Sequence, residues 1–265
     1  MIVKYIFLGL LQGITEVLPI SSSGHHQIAS KILNISDDSI TLSVMLHLAS
    51  LFAVVVFLRK ELKEIIIGFF KYFRNKNEYK IQFRLVLYLF LSTFILVIFT
   101  LIIKVLGYES SPLWVVGICL LINASMLIIF GKLNGKRKLE SINIKDAIVI
   151  GLFQCIGSFP GISRSGACLC GCNIQKIDKD ACKKYSFLLF IPAILGGLVL
   201  ELNNLKGMIS NQNYYLYLIS FIVSGITTYL AFDVLNKIIK KGKLTNFSIY
   251  CIILGVGVIL YSIIN

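Results

Sequence analysis

The stretch GLLQGITEVLPISSSG at residues 9–24 returns as GLFQCIGSFPGISRSG at residues 151–166. The two align without a gap at an offset of 142, and eight of the sixteen positions are identical. Each copy is flanked by short or interrupted apolar runs, 2–18 and 24–33 around the first, 146–158 and 165–174 around the second. A bilayer-spanning helix needs about 20 apolar residues, and none of the four provides a clean one. Two short helices joined by a Gly/Ser/Pro segment, Pro19–Gly24 or Pro160–Gly166, read as a re-entrant hairpin. Irregular backbone at membrane depth is tolerated only where protein buries it or where it lines a polar cavity. Both loops are therefore candidate sites.

Outward from the loops lie six longer apolar runs, near 40–58, 85–106, 113–131, 185–202, 215–236 and 246–264. The expected fold is an all-α polytopic membrane bundle of about six transmembrane helices plus two re-entrant helix pairs. It forms a single membrane domain over 1–265, with repeat 1 at about 1–131 and repeat 2 at about 146–265. Each loop is followed by a short helix and three spans, and an odd number of spans inverts the second repeat relative to the first. Inverted repeats place sites near the midplane, where half-helix ends meet.

Composition agrees. The chain is 57% hydrophobic and 15% charged, with mean hydropathy +0.83, against about 25% charged in soluble domains. The net charge of +13 does not indicate nucleic acid, because no basic stripe is interleaved with exposed aromatics. Segments 59–84, 132–145, 175–184 and 237–243 hold 21 of the 26 Lys and Arg. The six-span layout puts all four on one side and leaves Asp37-Asp38, Gly107–Ser111 and Lys206–Asn213 on the other. Basic loops face the cytoplasm, so both termini are expected outside. The seven cysteines lack paired C-x-x-C spacing and read as buried small hydrophobes. The N-terminal run leads into Pro19 without the small-residue pattern of a signal-cleavage site.

Gln12 and Glu16 are four apart and share a helix face. An acid in an apolar segment is costly unless it serves a function or a partner. Ser22 or Ser23 is placed to cap the second half-helix, whose free N–H groups then point at an anion. His25 follows within a turn, and His47 sits in a span where it can line a cavity. In the second loop, Gly161, Ser163, Ser165 and Gly166 surround Arg164, whose planar fork suits phosphate oxygens. A carboxylate, an imidazole, a guanidinium and several hydroxyls suit phosphoryl transfer, where positioning and charge neutralisation dominate. Broken helices in inverted repeats also suit a transporter or lipid-phosphate flippase, which stands as the alternative.

Three stretches resemble the bacitracin-resistance family of undecaprenyl-diphosphatases: Gln12–Glu16 with Pro19–His25, Pro160–Gly166, and Tyr185–Pro192. The resemblance covers essentially the whole chain. It implies a phosphatase of the bacterial plasma membrane that converts undecaprenyl diphosphate to undecaprenyl phosphate, recycling the lipid carrier of cell-wall synthesis. Its active site would open to the outer face, and its partners would be the polyisoprenyl diphosphate and membrane lipid, with a homo-oligomer left open. By position, Glu16, Ser22, His25 and Arg164 match catalytic residues, while Gln12 and Glu16 match positions expected at a divalent cation, Mg²⁺ or Ca²⁺. Ser21, Ser23, Gly24, Gly161, Ser163, Ser165 and Gly166 are expected around the substrate phosphates. Ser22, a water or His25 itself is the expected nucleophile, with His25 as proton carrier in the first two cases. Two positions depart from the family: Gln12 is an amide, and Cys168 stands where threonine is frequent.

Overall fold

The computed structural model describes residues 2–32, 40–107, 111–200, 214–240 and 244–264. Among these residues are eleven α-helices and one short 3₁₀ turn, and the only β pairing is a single bridge, Arg137 to Ile177. The helices are α1 (Ile2–Val17), α2 (Ser22–Ile32), α3 (Ile40–Phe57), α4 (Arg59–Lys71), α5 (Lys80–Val105) and α6 (Leu113–Lys132), then α7 (Ile144–Ile156), α8 (Arg164–Ile174), α9 (Lys179–Leu200), α10 (Tyr214–Lys240) and α11 (Thr245–Ile264). Five, namely α5, α6, α9, α10 and α11, are long and apolar enough to cross a membrane, and α3 makes a sixth if counted with α4. Large apolar side chains such as Phe90, Phe94, Val199 and Ile253 point outward, as they must in a helical bundle solvated by lipid. The protein is a multi-pass membrane bundle.

Neighbouring contacts fix the helix directions. Tyr5 lies against Tyr217, Gly9 against Ser220 and Gly13 against Thr228, so α1 and α10 run parallel. A Cβ on Gly9 or Gly13 would come within 2.7 Å of α10; small residues four apart let the two backbones close up. In the second half, Ala147 meets Ser92 and Cys155 meets Ile95, so α7 runs parallel to α5. Helices α6 and α11 run antiparallel, with Gly117 against Gly255 and Asn123 against Cys251. Each half thus packs its first helix on the middle long helix of the other half.

These directions place all four basic segments on one face. There Arg137 clasps Asp146 through Nη1 and Nη2, at 2.9 and 2.7 Å, while Lys138 pairs with Asp178 at 2.8 Å. Partial burial pushes the Asp178 carboxyl up, but hydrogen bonds from Lys138 and the Ala181 amide outweigh this and hold it below the ordinary value. Asn143 and Asp146 form a capping box at the start of α7. The chain enters α1 and leaves α11 on the opposite face. Asp37-Asp38, most of Gly107–Ser111 and Lys206–Asn213 lie outside the described residues.

One basic segment is more than a connection. Residues 59–71 form α4, bent 77° from α3, where the charge count suggests only a loop. Its Arg59, Lys60, Lys63 and Glu64 face out, but so do Ile66, Ile67 and Phe70. Exposed charge together with exposed apolar surface marks a helix lying in the membrane interface. A window set for spans passes over such a helix, because its charges lower the mean hydropathy.

Candidate active site

The short helices behave as the apolar runs indicate. Each of α2 and α8 has 11 residues, or ~16 Å at 1.5 Å per residue, about half of a bilayer core. Their N-termini converge, and the loops before them are buried at Ile20 and Ile162.

The capping serine is Ser21, not Ser22 or Ser23. Ser21 Oγ accepts from the Gly24 amide at 3.3 Å, and Ser163 Oγ accepts from the Gly166 amide at 3.2 Å. These residues are related by the same offset of 142, as are the hydroxyl pairs Ser21–Ser23 at 3.3 Å and Ser163–Ser165 at 3.0 Å. The cap forms from either backbone: Ser163 is extended, φ −78°, while Ser21 is left-handed, φ +73°. Non-glycine residues adopt this rarely, and periodicity carries no sign of it. The loops also hold each other: Gly161 N donates to Ser21 Oγ at 3.0 Å. Asn123 in α6 bridges both, donating to Pro19 O at 2.9 Å and accepting from Ser163 N at 3.0 Å. An asparagine inside an apolar span was a readable signal.

The glycines serve this crossing and do not line the site. A Cβ on Gly24 would lie 2.9 Å from Gly161 Cα, and one on Gly166 would press on Asn123 Oδ1 at 3.1 Å. Gly161 has φ +97°, and a Cβ there would sit 2.4 Å from Val116 O. Gly161→Ala should therefore cost about 3 kcal/mol from overpacking and backbone strain. Thermal unfolding in detergent should drop by roughly 5–10 °C, while Gly257→Ala, with nothing within 4 Å, should leave it unchanged.

Between the two N-termini lies a cavity of about 90 Å³, lined by Glu16, Ser21, Ser22, Ser23, His47, Ser158, Ser163, Arg164 and Ser165 among others. Glu16 Oε2 is its centre: it accepts from Ser22 Oγ at 2.5 Å and from Gln12 Nε2 at 2.9 Å, and lies 3.7 Å from His47 Nε2. Gln12 is fully buried behind Glu16, and its Oε1 has no partner among the described residues. Across the cavity, Arg164 buries Nε and Nη1 without an acceptor among the described residues. The first amides of α2 and α8 likewise have no intrahelical acceptor, so donors from two helix ends face the same space.

His25 is not in this company. Its Nδ1 is 2.7 Å from Ser21 O and its Nε2 is 2.6 Å from Tyr250 Oη, and it does not line the cavity. A carbonyl can only accept, so Nδ1 donates and Nε2 of the neutral ring takes the Tyr250 hydroxyl. Both nitrogens are engaged, Nδ1 at the start of α2 and Nε2 in holding α2 to α11. The imidazole that faces the cavity belongs to His47, whose Nδ1 lies 2.9 Å from Ser43 O, leaving Nε2 toward Glu16. Cys168, like the other six cysteines, is buried; it packs in the core and adds nothing to the cavity wall.

A second opening of about 150 Å³ shares His47 and Arg164 and is otherwise walled by Val44, Ala193, Ile194 and Leu198 with Ser43 and Gly197. It leads from the polar chamber into an apolar fissure between the start of α3 and the end of α9, toward the face opposite the basic segments. Polar head space and apolar tail space therefore meet at His47 and Arg164.

The sequence matches the family described as Bacitracin resistance protein BacA over residues 5–257. It is 35% identical to the undecaprenyl-diphosphatase of Oceanobacillus iheyensis, covering 98% of this chain and 96% of the relative. It is 37% identical to undecaprenyl-diphosphatase 2 of Halalkalibacterium halodurans, over 98% and 96% of the two chains. The undecaprenyl-diphosphatase of Thermosipho africanus is 39% identical, over 96% and 97%.

Proposed function

The chain belongs to the BacA bacitracin-resistance family, and from this membership and its cavity we infer that it hydrolyses undecaprenyl diphosphate to undecaprenyl phosphate and inorganic phosphate. The relatives are named as diphosphatases, and nothing in the comparisons supports the flippase reading. The observation that carries the reading is the buried, unsatisfied guanidinium of Arg164 facing the Ser22–Glu16 pair across the junction of two helix N-termini.

In this reading the diphosphate sits between Arg164, the hydroxyls of Ser163 and Ser165, and the free amides of α2 and α8. Ser22 Oγ attacks the terminal phosphorus while Glu16 takes its proton; the bridging P–O bond breaks and undecaprenyl phosphate leaves. Glu16 passes that proton by way of His47 to the departing phosphate; water then cleaves the phosphoserine, Glu16 taking the water's proton and returning it to Ser22 Oγ as the P–Oγ bond breaks. His47 takes the proton-carrying role that the sequence pattern gives to His25, because its ring adjoins Glu16 and the departing phosphate. The prenyl tail lies in the fissure beside Val44, Ile194 and Leu198.

A divalent cation fits the donors present. Mg²⁺ is held by one or two carboxylates together with substrate phosphates. Glu16 Oε1 accepts no hydrogen bond among the described residues, and Gln12 Oε1 is an orphaned acceptor beside it. When bound, the ion would neutralise charge on the phosphates. Glu16 and Gln12 would hold it.

The basic face is cytoplasmic by the distribution of Lys and Arg, which puts the fissure and both termini outside a plasma membrane. The halves at about 1–131 and 146–265 are inverted repeats of one plan, which the exchanged packing of α1 on α10 and α7 on α5 supports. The direct test is phosphate release from farnesyl and undecaprenyl diphosphates by purified protein in detergent, with and without Mg²⁺ or Ca²⁺. Release that requires the ion is expected. Folded protein that binds the lipid diphosphate and releases nothing would refute hydrolysis.

A further inference from the structure

On the opposite, basic face the bend between α3 and α4 opens a separate cavity of about 560 Å³. We propose that this cavity binds the phosphate of an anionic membrane lipid headgroup.

Five cations line it, Arg59, Lys60, Lys183, Lys184 and Lys237, against two acids, Glu61 and Asp233. Asp233 is already paired with Lys237 at 2.7 Å, and Lys183 reaches Asp180 at 3.5 Å. Arg59 has only a 3.3 Å bond to Val56 O. Neither it nor Lys60 nor Lys184 has a carboxylate partner among the described residues. Three unneutralised cations from two helices, α4 and α9, thus converge on one concavity, and such a set recognises a phosphate.

Two observations select a lipid as its bearer. The floor is aromatic: Phe57 stacks on Phe232 at 4.7 Å, and Phe187 meets the same ring edge-on at 4.5 Å. Free phosphate gains nothing from such a floor, whereas the glycerol and first methylenes of a lipid do. The wall is α4 itself, whose exposed Ile66, Ile67 and Phe70 set it at headgroup depth. The cavity therefore opens where anionic headgroups are concentrated and attract juxtamembrane cations.

The test compares wild type with Arg59→Gln/Lys184→Gln in phosphatidylcholine nanodiscs containing phosphatidylglycerol, reading retained lipid by native mass spectrometry. Wild type should retain phosphatidylglycerol in preference to phosphatidylcholine. Each lost charge should weaken that preference about fivefold, roughly 25-fold for the pair. Lys63→Gln/Lys76→Gln removes two charges from the same face outside the cavity and should change it little. Equal losses in the two double variants would mean diffuse surface attraction and would overturn the proposal, as would unchanged retention in the first. Displacement of the lipid by inorganic phosphate would transfer the cavity to the free anion and overturn the lipid assignment.

Discussion

Arg164→Ala should lower phosphate release by about 10²–10⁴-fold, with little change in thermal stability. The magnitude follows from two charge-assisted hydrogen bonds, each worth about 1.5–3 kcal/mol. The second half of the expectation separates function from scaffolding. Removing one partner of a satisfied buried ion pair usually costs about 3–5 kcal/mol. Arg164 makes no hydrogen-bonded pair of this kind among the described residues: its Nε and Nη1 are buried with no acceptor, Glu16 Oε2 is occupied by Ser22 and Gln12, and only a longer-range attraction to Glu16 is lost. The substrate phosphate completes this charge, and deleting it offsets the lost attraction to Glu16 by removing two buried donors that lack an acceptor among the described residues. Arg164→Lys should still lose about 10²-fold, because an ammonium cannot present a planar fork. Activity assays with melting curves on the same preparations check both halves. Parallel collapse of activity and melting temperature would make Arg164 a structural residue.

Much of this arrangement is legible in the sequence. The offset of 142 paired Ser21 with Ser163 and Gly24 with Gly166, and those pairs do form matching caps. Apolar run lengths separated α2 and α8 from the spans, and the i, i+4 spacing of Gln12 and Glu16 became a hydrogen bond. What stayed hidden depended on side-chain direction and backbone sign. His25 and His47 are both histidines in apolar helices; only the packing of α2 against Tyr250 turns one away, and only the approach of α3 to Glu16 turns the other in. Helix α2 begins at Ser22, so the cap falls on Ser21, and a run of three serines carries no sign of which one caps. Helix α4 mixes charge with exposed isoleucine and phenylalanine, so neither a span window nor a loop rule captures it. The glycines were expected to admit a phosphate, yet Gly24 admits the other loop and Gly161 admits α6.

Ser22→Ala and Glu16→Gln decide how the chemistry is started, and each should remove most of it. A general base contributes about 10²–10⁴-fold, and loss of a nucleophile that works with its base costs at least as much. Ser22 stands at the first turn of α2, with its Oγ–H donated to Glu16 at 2.5 Å and Arg164 lining the same cavity. If they act as one unit, the double variant should be scarcely slower than either single one, since removing the base from an enzyme without its nucleophile removes nothing more. Glu16→Gln should then also accumulate phosphoryl-Ser22, because an amide cannot activate the water that cleaves it; intact-protein mass spectrometry after a short incubation would register the added phosphoryl group. Water as the direct nucleophile gives a different pattern. Ser22→Ala would lose only about tenfold as a lost phosphate contact, Glu16→Gln far more, and the two losses would multiply with no phosphoprotein formed. The kinetic cycle and the mass measurement depend on different properties of the site, so agreement between them would fix the nucleophile, and a multiplicative cycle would remove Ser22 from that role.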